Sequence, residues 1–532
     1  MSSGSKQRRA SKKATPSAKS VLETAAFKLS AGQTWAILAV ILMIAAGLRF
    51  YGIASTPPAL YVDEAADGAN GVQAWETGNF KVFYPEDNGR EGLYINIASV
   101  FVHFLGSNAV AVRLPAAIFG FLTVAGLYAL TAELISPPVG LAAAFFLATS
   151  YWHVNFSRIA FRAIAAPFFL VWALYFLLLA LRRRRDGGDF AVWAALAGVL
   201  YGLGFHTYIA YRITPLLVIL VLSFLFVEAS RGGWARRYWI GTSLFTVAAA
   251  VVAYPLVSYF VSHPGAANAR MNQVSVFGSQ TVVHDIVRNI GATVGMLYWQ
   301  GDANGRHNYA GQPEVFWPVA LLMTLGVAIV IRRMFVVRST AVLLYSALLL
   351  LWIVCGAVPA VLSNERLPHA LRSILMVPPI AILAAIGAAE SLAVVARGIP
   401  VPILTAAVIA IAGALAGETA HTYFDLWAED PQTAAWFDAE DSRMADQINA
   451  LPAGQAKVVA IDGSIEAADL FFVPLMSIRF LTRSVTPKQQ AESNIRYYTP
   501  LTFPVPLPAI PGDFCAKATA AMPETIVICL SN

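Results

Sequence analysis

Two carboxylates stand side by side in Tyr61-Val62-Asp63-Glu64-Ala65, a few residues beyond the first long apolar run. Ionisable side chains at the edge of hydrocarbon are costly to keep there and mark functional candidates. Asp63 and Glu64 are therefore candidate catalytic residues, the plain alternative being the solvated start of a loop. Further along come arginines that break the charge pattern of the loops: Arg90, Arg158, Arg162, Arg212, Arg270, Arg288, Arg306, Arg366 and Arg372. A guanidinium recognises phosphate through two parallel hydrogen bonds, so arginines gathered around an acid suit a phosphate-bearing ligand. Snorkelling or a structural ion pair is the competing account of each one. Two polar clusters accompany them, Tyr151-Trp152-His153-Val154-Asn155-Phe156-Ser157-Arg158 and Gly301-Asp302-Ala303-Asn304-Gly305-Arg306-His307-Asn308. The first also fits an aromatic belt at a membrane boundary. The second has little apolar surface to anchor and reads more strongly as a site.

The elements that must position these residues are membrane helices. Hydrophobic residues form 58% of the chain and charged residues 13%, and mean hydropathy is +0.62, a balance foreign to soluble domains. About eleven runs approach the ~20 residues needed to cross a bilayer. They lie near Thr34 to Tyr51, Arg113 to Leu134, Val139 to Tyr151, Arg162 to Leu181, Phe190 to Ala210, Ile213 to Val227 and Tyr238 to Phe260. Four more lie near Val315 to Ile331, Thr340 to Leu362, Ser373 to Val394 and Val401 to Gly417. The run at Val139 to Tyr151 is short. Lysines and arginines in the alternate short loops fall on the side of the basic N-terminus, which places that terminus in the cytoplasm. It places residues 52–112, 261–314 and everything after about Glu418 outside.

Met1 to Ser30 carries seven Lys and Arg against one Glu and so accounts for the whole net charge of +6. The remainder is formally neutral and no folded basic face exists, which excludes a nucleic-acid partner. The expected organisation is a disordered basic tail at 1–30, a transmembrane domain at 31–419 and a soluble domain at 420–532. In the last, Ala434 to Leu451 has helical periodicity, Lys457 to Ile461 and Glu524 to Leu530 read as strands, and the prolines of Thr499 to Pro511 forbid regular helix. A small α/β domain is expected. Cys515 and Cys529 within it are either a disulfide, which would stabilise it by about 3 kcal/mol, or two buried thiols.

In their order along the chain, several motifs resemble the GT-C glycosyltransferases, in the branch of protein O-mannosyltransferases and the lipid A aminoarabinose transferase. They are Asp63-Glu64, Gly89-Arg90-Glu91-Gly92-Leu93-Tyr94, Arg113-Leu114-Pro115, Asn304-Gly305-Arg306-His307-Asn308 and Pro368-His369-Ala370-Leu371-Arg372. The resemblance spans nearly all of the membrane part. It implies an inverting enzyme that moves a sugar from a polyprenyl phosphate to a hydroxyl of a protein, glycolipid or glycan, on the outer face of the cytoplasmic membrane. Asp63 is then the base, and Glu64 orients the site or binds a sugar hydroxyl. Arg90, Arg162, Arg270, Arg306 and Arg372 are assigned to the donor phosphate, and Glu91, Tyr94, His307, Asn308 and His369 to sugar or acceptor. The leaving group is already an anionic phosphate and needs charge neutralisation more than protonation, so one carboxylate suffices.

This chain departs from the lipid A enzyme, which has Glu-Lys-Pro-Pro where Gly89-Arg90-Glu91-Gly92 stands here. The displaced glutamate argues against an obligatory metal, although His307 and His369 leave a divalent ion open. A lipid-linked sugar flippase is the alternative, but it calls for internal repeats and charges inside the spans. A non-catalytic scaffold for the tail domain is a third reading, and gives Asp63-Glu64 no task.

Overall fold

The computed structural model describes residues 29–86, 88–182, 189–266, 275–337, 339–365, 367–462, 472–508 and 513–531. Nearly all of the expected basic tail, together with Arg270 and Arg366, lies outside the described residues.

Among the described residues nine helices are long and apolar enough to cross a membrane, from Ala31–Phe50 to Val401–Trp427. The other two expected crossings are shorter. Pro137–Ala148 covers 12 residues, about 18 Å at 1.5 Å per residue, and the chain breaks at Thr149-Ser150 before the Tyr151–Arg158 helix. Phe190–Gly204 is the second. Helices 317–336 and 377–395 meet on glycine: a Cβ on Gly326 would lie 2.0 Å from Leu383 O, and one on Gly387 2.0 Å from Leu322 O. Small residues at such contacts let backbones approach where lipid supplies no hydrophobic drive. Side chains such as Val247, Val251, Tyr254, Ile403 and Ile409 remain exposed on the outer helices, as a lipid-facing wall requires.

The segment between the first two long helices folds as helix Val62–Thr77, strands β1 (Phe83–Tyr84) and β2 (Arg90–Glu91), and helix Gly92–Leu105. The strands pair antiparallel, with Tyr84 opposite Arg90. The second helix is amphipathic, burying Tyr94, Ile95, Ala98 and Val102 and exposing Val100, Phe104 and Leu105.

The C-terminal region forms a small parallel sheet in the order β4-β3-β5, of strands Ile495–Tyr498, Lys457–Asp462 and Ile526–Ser531. Two of the three strands were expected. The third, with four residues, is too short to give a pattern. The expected helix Ala434 to Leu451 divides into Pro431–Trp436 and Ala439–Ala450, because Asp438 turns left-handed at φ 51°. Cys515 and Cys529 are joined as a disulfide, tying helix Phe514–Ala521 to β5.

Candidate active site

The site is built from the first turn of the Val62–Thr77 helix. Glu64, at its third position, caps the turn by accepting the Tyr61 N–H through Oε2 at 3.0 Å. The same carboxylate takes Arg113 Nε at 2.9 Å, Arg113 Nη2 at 3.0 Å and the Ala160 N–H at 2.9 Å. Arg113 also donates to the carbonyls of Pro57 and Ala59, and both side chains are 0% exposed. Glu64 is thus spent on holding the turn. Asp63, its neighbour, is half-buried at the helix N-terminus, where the dipole favours a carboxylate.

One turn further along, Asp67 and Asn70 each take one Nη of Arg90, both at 2.5 Å. Arg90 is 2% exposed. It faces inward and locks β2 to the helix. Its neighbour Glu91 anchors two arginines, Arg162 Nε at 3.2 Å and Arg212 Nη2 at 3.4 Å. These keep 23% and 30% of their side chains exposed, over the rings of Tyr208 and Phe260 respectively. Arg90, Arg162 and Arg212 against Asp67 and Glu91 leave this group one positive charge in excess, a setting for an anion.

The loop after Arg158 joins the two parts. Ala160 donates its N–H to Glu64, and two residues later Arg162 reaches Glu91. The turn that presents Asp63 and the arginine pair are therefore set by one short segment.

The second polar loop approaches from the other direction. Arg306 lies over the Tyr61 ring at 3.8 Å and donates to Trp436 O at 3.4 Å. Gly305 is held from two sides: its carbonyl accepts Trp427 Nε1 at 2.6 Å, and a Cβ on it would meet Trp436 Cδ1 at 2.2 Å. The C-terminal region also reaches the turn, since the carboxylate of Asp438 lies beside the Val62 N–H and Ser442 Oγ accepts the Leu60 N–H at 3.2 Å. Burial raises the Asp438 carboxyl against the opposing pull of Arg306 and that N–H.

Asp302, His307 and His369 bring one ligand atom each within 4.8 Å of one another, and could hold a divalent ion. Protein groups already serve this carboxylate: His307 Nδ1 lies 2.8 Å from Oδ2, the Ala370 N–H donates to Oδ2 at 2.9 Å and the Asn304 N–H to Oδ1 at 2.9 Å. The two imidazoles stack at 5.1 Å. Burial alone would raise the Asp302 carboxyl, but the His307 hydrogen bond and the two imidazoles hold it below the usual range.

Three other expected site residues have partners within the protein. Tyr94 is 1% exposed and donates to Val112 O at 2.7 Å, so it packs helix against helix. Asn308 closes its own loop through Gln312 O at 2.6 Å. Arg372 is engaged by Glu365 and Ser363. Missing from the expected site were Asp67, Asn70 and Asp438, and Arg212 was noted only as one outward arginine. Asp67 and Asn70 follow Asp63 at helical spacing, a signal that could have found them. Asp438 carried none.

Comparison with known proteins agrees with this architecture. A family model for dolichyl-phosphate-mannose-protein mannosyltransferases matches residues 93–259. No curated protein matches the sequence. The crystal structure of ArnT from Cupriavidus metallidurans bound to undecaprenyl phosphate superposes with a TM-score of 0.56 at 12% identity, over 94% of this chain and 90% of that one. Its apo form gives 0.54 at 12% identity over the same shares. The oligosaccharyltransferase AglB from Archaeoglobus fulgidus, in complex with an inhibitory peptide and a dolichol-phosphate, gives 0.50 at 14% identity, over 86% of this chain and 64% of that one. The fold is the one seen in the ArnT and AglB structures. The likeness extends to both and selects no single branch.

Proposed function

We propose that this protein is an inverting glycosyltransferase that moves a sugar from a polyprenyl phosphate to a hydroxyl of a protein, glycolipid or glycan. Its place is the cytoplasmic membrane, with the N-terminus inside and the Asp63 face and C-terminal domain outside. Asp63 takes the proton of the acceptor hydroxyl as that oxygen attacks the anomeric carbon from the face opposite the phosphate. The phosphate leaves as an anion beside Arg162 and Arg212, whose charge is worth most where it develops in the transition state. Glu64 and Arg113 position the turn, and Arg306 lies at the sugar end. His307 and His369 complete the wall behind Arg306, and a divalent ion bound with Asp302 would brace it. The observation that carries this reading is the segment from Ala160 to Arg162, which ties Glu64 at one end and Glu91 at the other.

The test is turnover of a panel of polyprenyl-phosphate sugars by the protein in nanodiscs, with Asp63→Asn alongside. Loss of a general base lowers kcat by about 10²–10⁴-fold, so the variant should bind donor and fail to transfer it. A donor panel that neither form binds or consumes would refute the reading, and passage of intact donor between leaflets would then be measured.

A further inference from the structure

The helix Val282–Gly295, 14 residues and about 21 Å long, is amphipathic the wrong way round for a surface in water. Asp285, Asn289 and Thr293, one turn apart along one face, are 6% exposed or less, whereas Val283, Val287, Ile290 and Val294 on the opposite face are 48–77% exposed. A helix on an aqueous surface does the reverse and turns its apolar stripe to the core. The inward polar groups are engaged. Asn289 Nδ2 donates to Val361 O at 2.9 Å and to Ser363 O at 2.8 Å, at the end of the Thr340–Val361 helix, and Asp285 accepts Thr281 Oγ1 at 3.1 Å. The polar face fastens the helix to the protein and leaves the apolar stripe facing out.

The surroundings of the stripe name what covers it. The chain leaving the helix reaches Tyr298, whose hydroxyl lies 2.9 Å from Thr324 Oγ1 on the helix Trp317–Val336. Thr324 stands about 10 Å along that helix from Trp317, and Leu321 and Leu325 are exposed on either side of it. The end of the Val282–Gly295 helix therefore meets a membrane-crossing helix two turns in from its start, beside lipid-facing leucines. Trp299 and Trp317, both exposed, are of the type that settles at headgroup level. One flank of the stripe carries His284 and Arg288, both exposed, and the Arg288 side chain keeps 56% of its surface although it touches Asp285 at 3.4 Å. Arg288 is one of the outward arginines for which the proposed transfer site has no use. An apolar stripe with a basic flank is the pattern of a helix lying in the plane of the membrane boundary, with its base reaching the headgroup phosphates. The loop that follows carries Arg306 to Tyr61, so the leaflet is the one on the Asp63 face.

We propose that Val282–Gly295 is an interfacial membrane helix, with the stripe of Val283, Val287, Ile290 and Val294 sunk among the acyl chains of that leaflet and the flank of His284 and Arg288 at the lipid phosphates. The contact does not depend on the transfer reaction.

The test uses the whole protein in phosphatidylglycerol nanodiscs, with a nitrobenzoxadiazole label on Val287→Cys, Val294→Cys or His284→Cys, and on Lys488→Cys, exposed in the C-terminal region, as reference. The parent protein, in which Cys355 is buried and Cys515 is bonded to Cys529, sets the labelling background. The labels at 287 and 294 should emit to the blue of the reference and be quenched about three-fold more than it by a nitroxide on the lipid acyl chain. The label at 284 should be quenched more by a headgroup nitroxide than by the acyl-chain one. Labels at 287 and 294 as wet and as weakly quenched as the reference would overturn the proposal, and so would a label at 284 that the acyl-chain nitroxide quenches best. Labels at 287 and 294 that no lipid nitroxide reaches, but that quench one another between two copies, would overturn it too and mark the stripe as a subunit interface.

Discussion

Glu64 and Arg113 face each other through two parallel hydrogen bonds of 2.9 and 3.0 Å, with neither side chain exposed at all. The pair joins the loop of Pro57 and Ala59, the turn that carries Asp63 and the backbone at Ala160. Its contribution is to geometry: every contact fixes backbone around the proposed base.

Breaking this pair from one side leaves a buried charge unpaired, which costs about 3–5 kcal/mol. Glu64→Gln and Arg113→Met should each lower the melting temperature followed by tryptophan fluorescence in detergent. The double variant should recover part of the loss, because no lone charge remains. Single variants that melt like the parent protein would remove the pair from its positioning role.

The contacts of the arginines separate two kinds of variant. Arg162→Gln and Arg212→Gln should weaken donor binding, each by about 10–100-fold if a charge-assisted hydrogen bond of 1.5–3 kcal/mol to phosphate is lost. Arg90→Gln should instead lower stability, because it breaks the buried ion pair with Asp67, and leave the donor KM of the surviving protein near the parent value. Steady-state kinetics on a fixed quantity of folded protein distinguishes them.

Gly305→Ala places a methyl group 2.2 Å from Trp436 Cδ1. Overpacking of this kind costs about 1–3 kcal/mol, and here it pushes on the loop that carries Arg306 and His307. Lower turnover and a lower melting temperature are expected, with recovery when Trp436→Leu makes room. Lack of recovery would place the damage elsewhere.

Asp441 gives a pH prediction. Burial, then the charges of Asp438 and Glu440, push its carboxyl up to about 6. An acid whose folded pKa is raised binds its proton more tightly when folded. It favours the folded state below about pH 4, and that contribution is lost as pH rises through about 6. Asp441→Asn should therefore raise the melting temperature at pH 8 and leave it unchanged at pH 4. The gain is about 1 kcal/mol after allowance for solvent screening of a partly exposed group. The same gain at both pH values would show that the charge is not the cause.

Transfer is expected to survive dialysis against EDTA, because the Asn304 and Ala370 N–H groups already satisfy Asp302 without an ion. Activity lost on chelation and restored by one divalent metal would instead make Asp302, His307 and His369 a working metal centre.

Long apolar runs announce membrane helices directly, and the eleven runs found by hydropathy correspond to nine long helices and two shorter ones. Asp63 and Glu64 were singled out because acids rarely stand so close to hydrocarbon without a task, and the structure sets half-buried Asp63 beside the buried Glu64–Arg113 pair. What the chain does not declare is whom a charged side chain faces. Arg90 and Arg162 looked alike as outward arginines, yet one is closed off by Asp67, 23 residues away, and the other leans with Arg212 on Glu91 across 71 and 121 residues. Tyr94 and Asn308 were assigned to substrate because they sit in the right motifs, and both donate to backbone carbonyls of other segments or of their own loop. Periodicity reports a residue's own element, whereas these contacts depend on how elements meet.

The double hold on Gly305 has a practical consequence for anyone cutting this protein apart. Trp427 grips its carbonyl from the end of the last membrane helix, and Trp436 covers it from the first helix beyond. A chimaera spliced near residue 420 would exchange both tryptophans and leave the recipient's polar loop without its clasp. A junction after Ala450 leaves the recipient both tryptophans, Ser442 and an uncut Ala439–Ala450 helix, while the donor contributes the sheet.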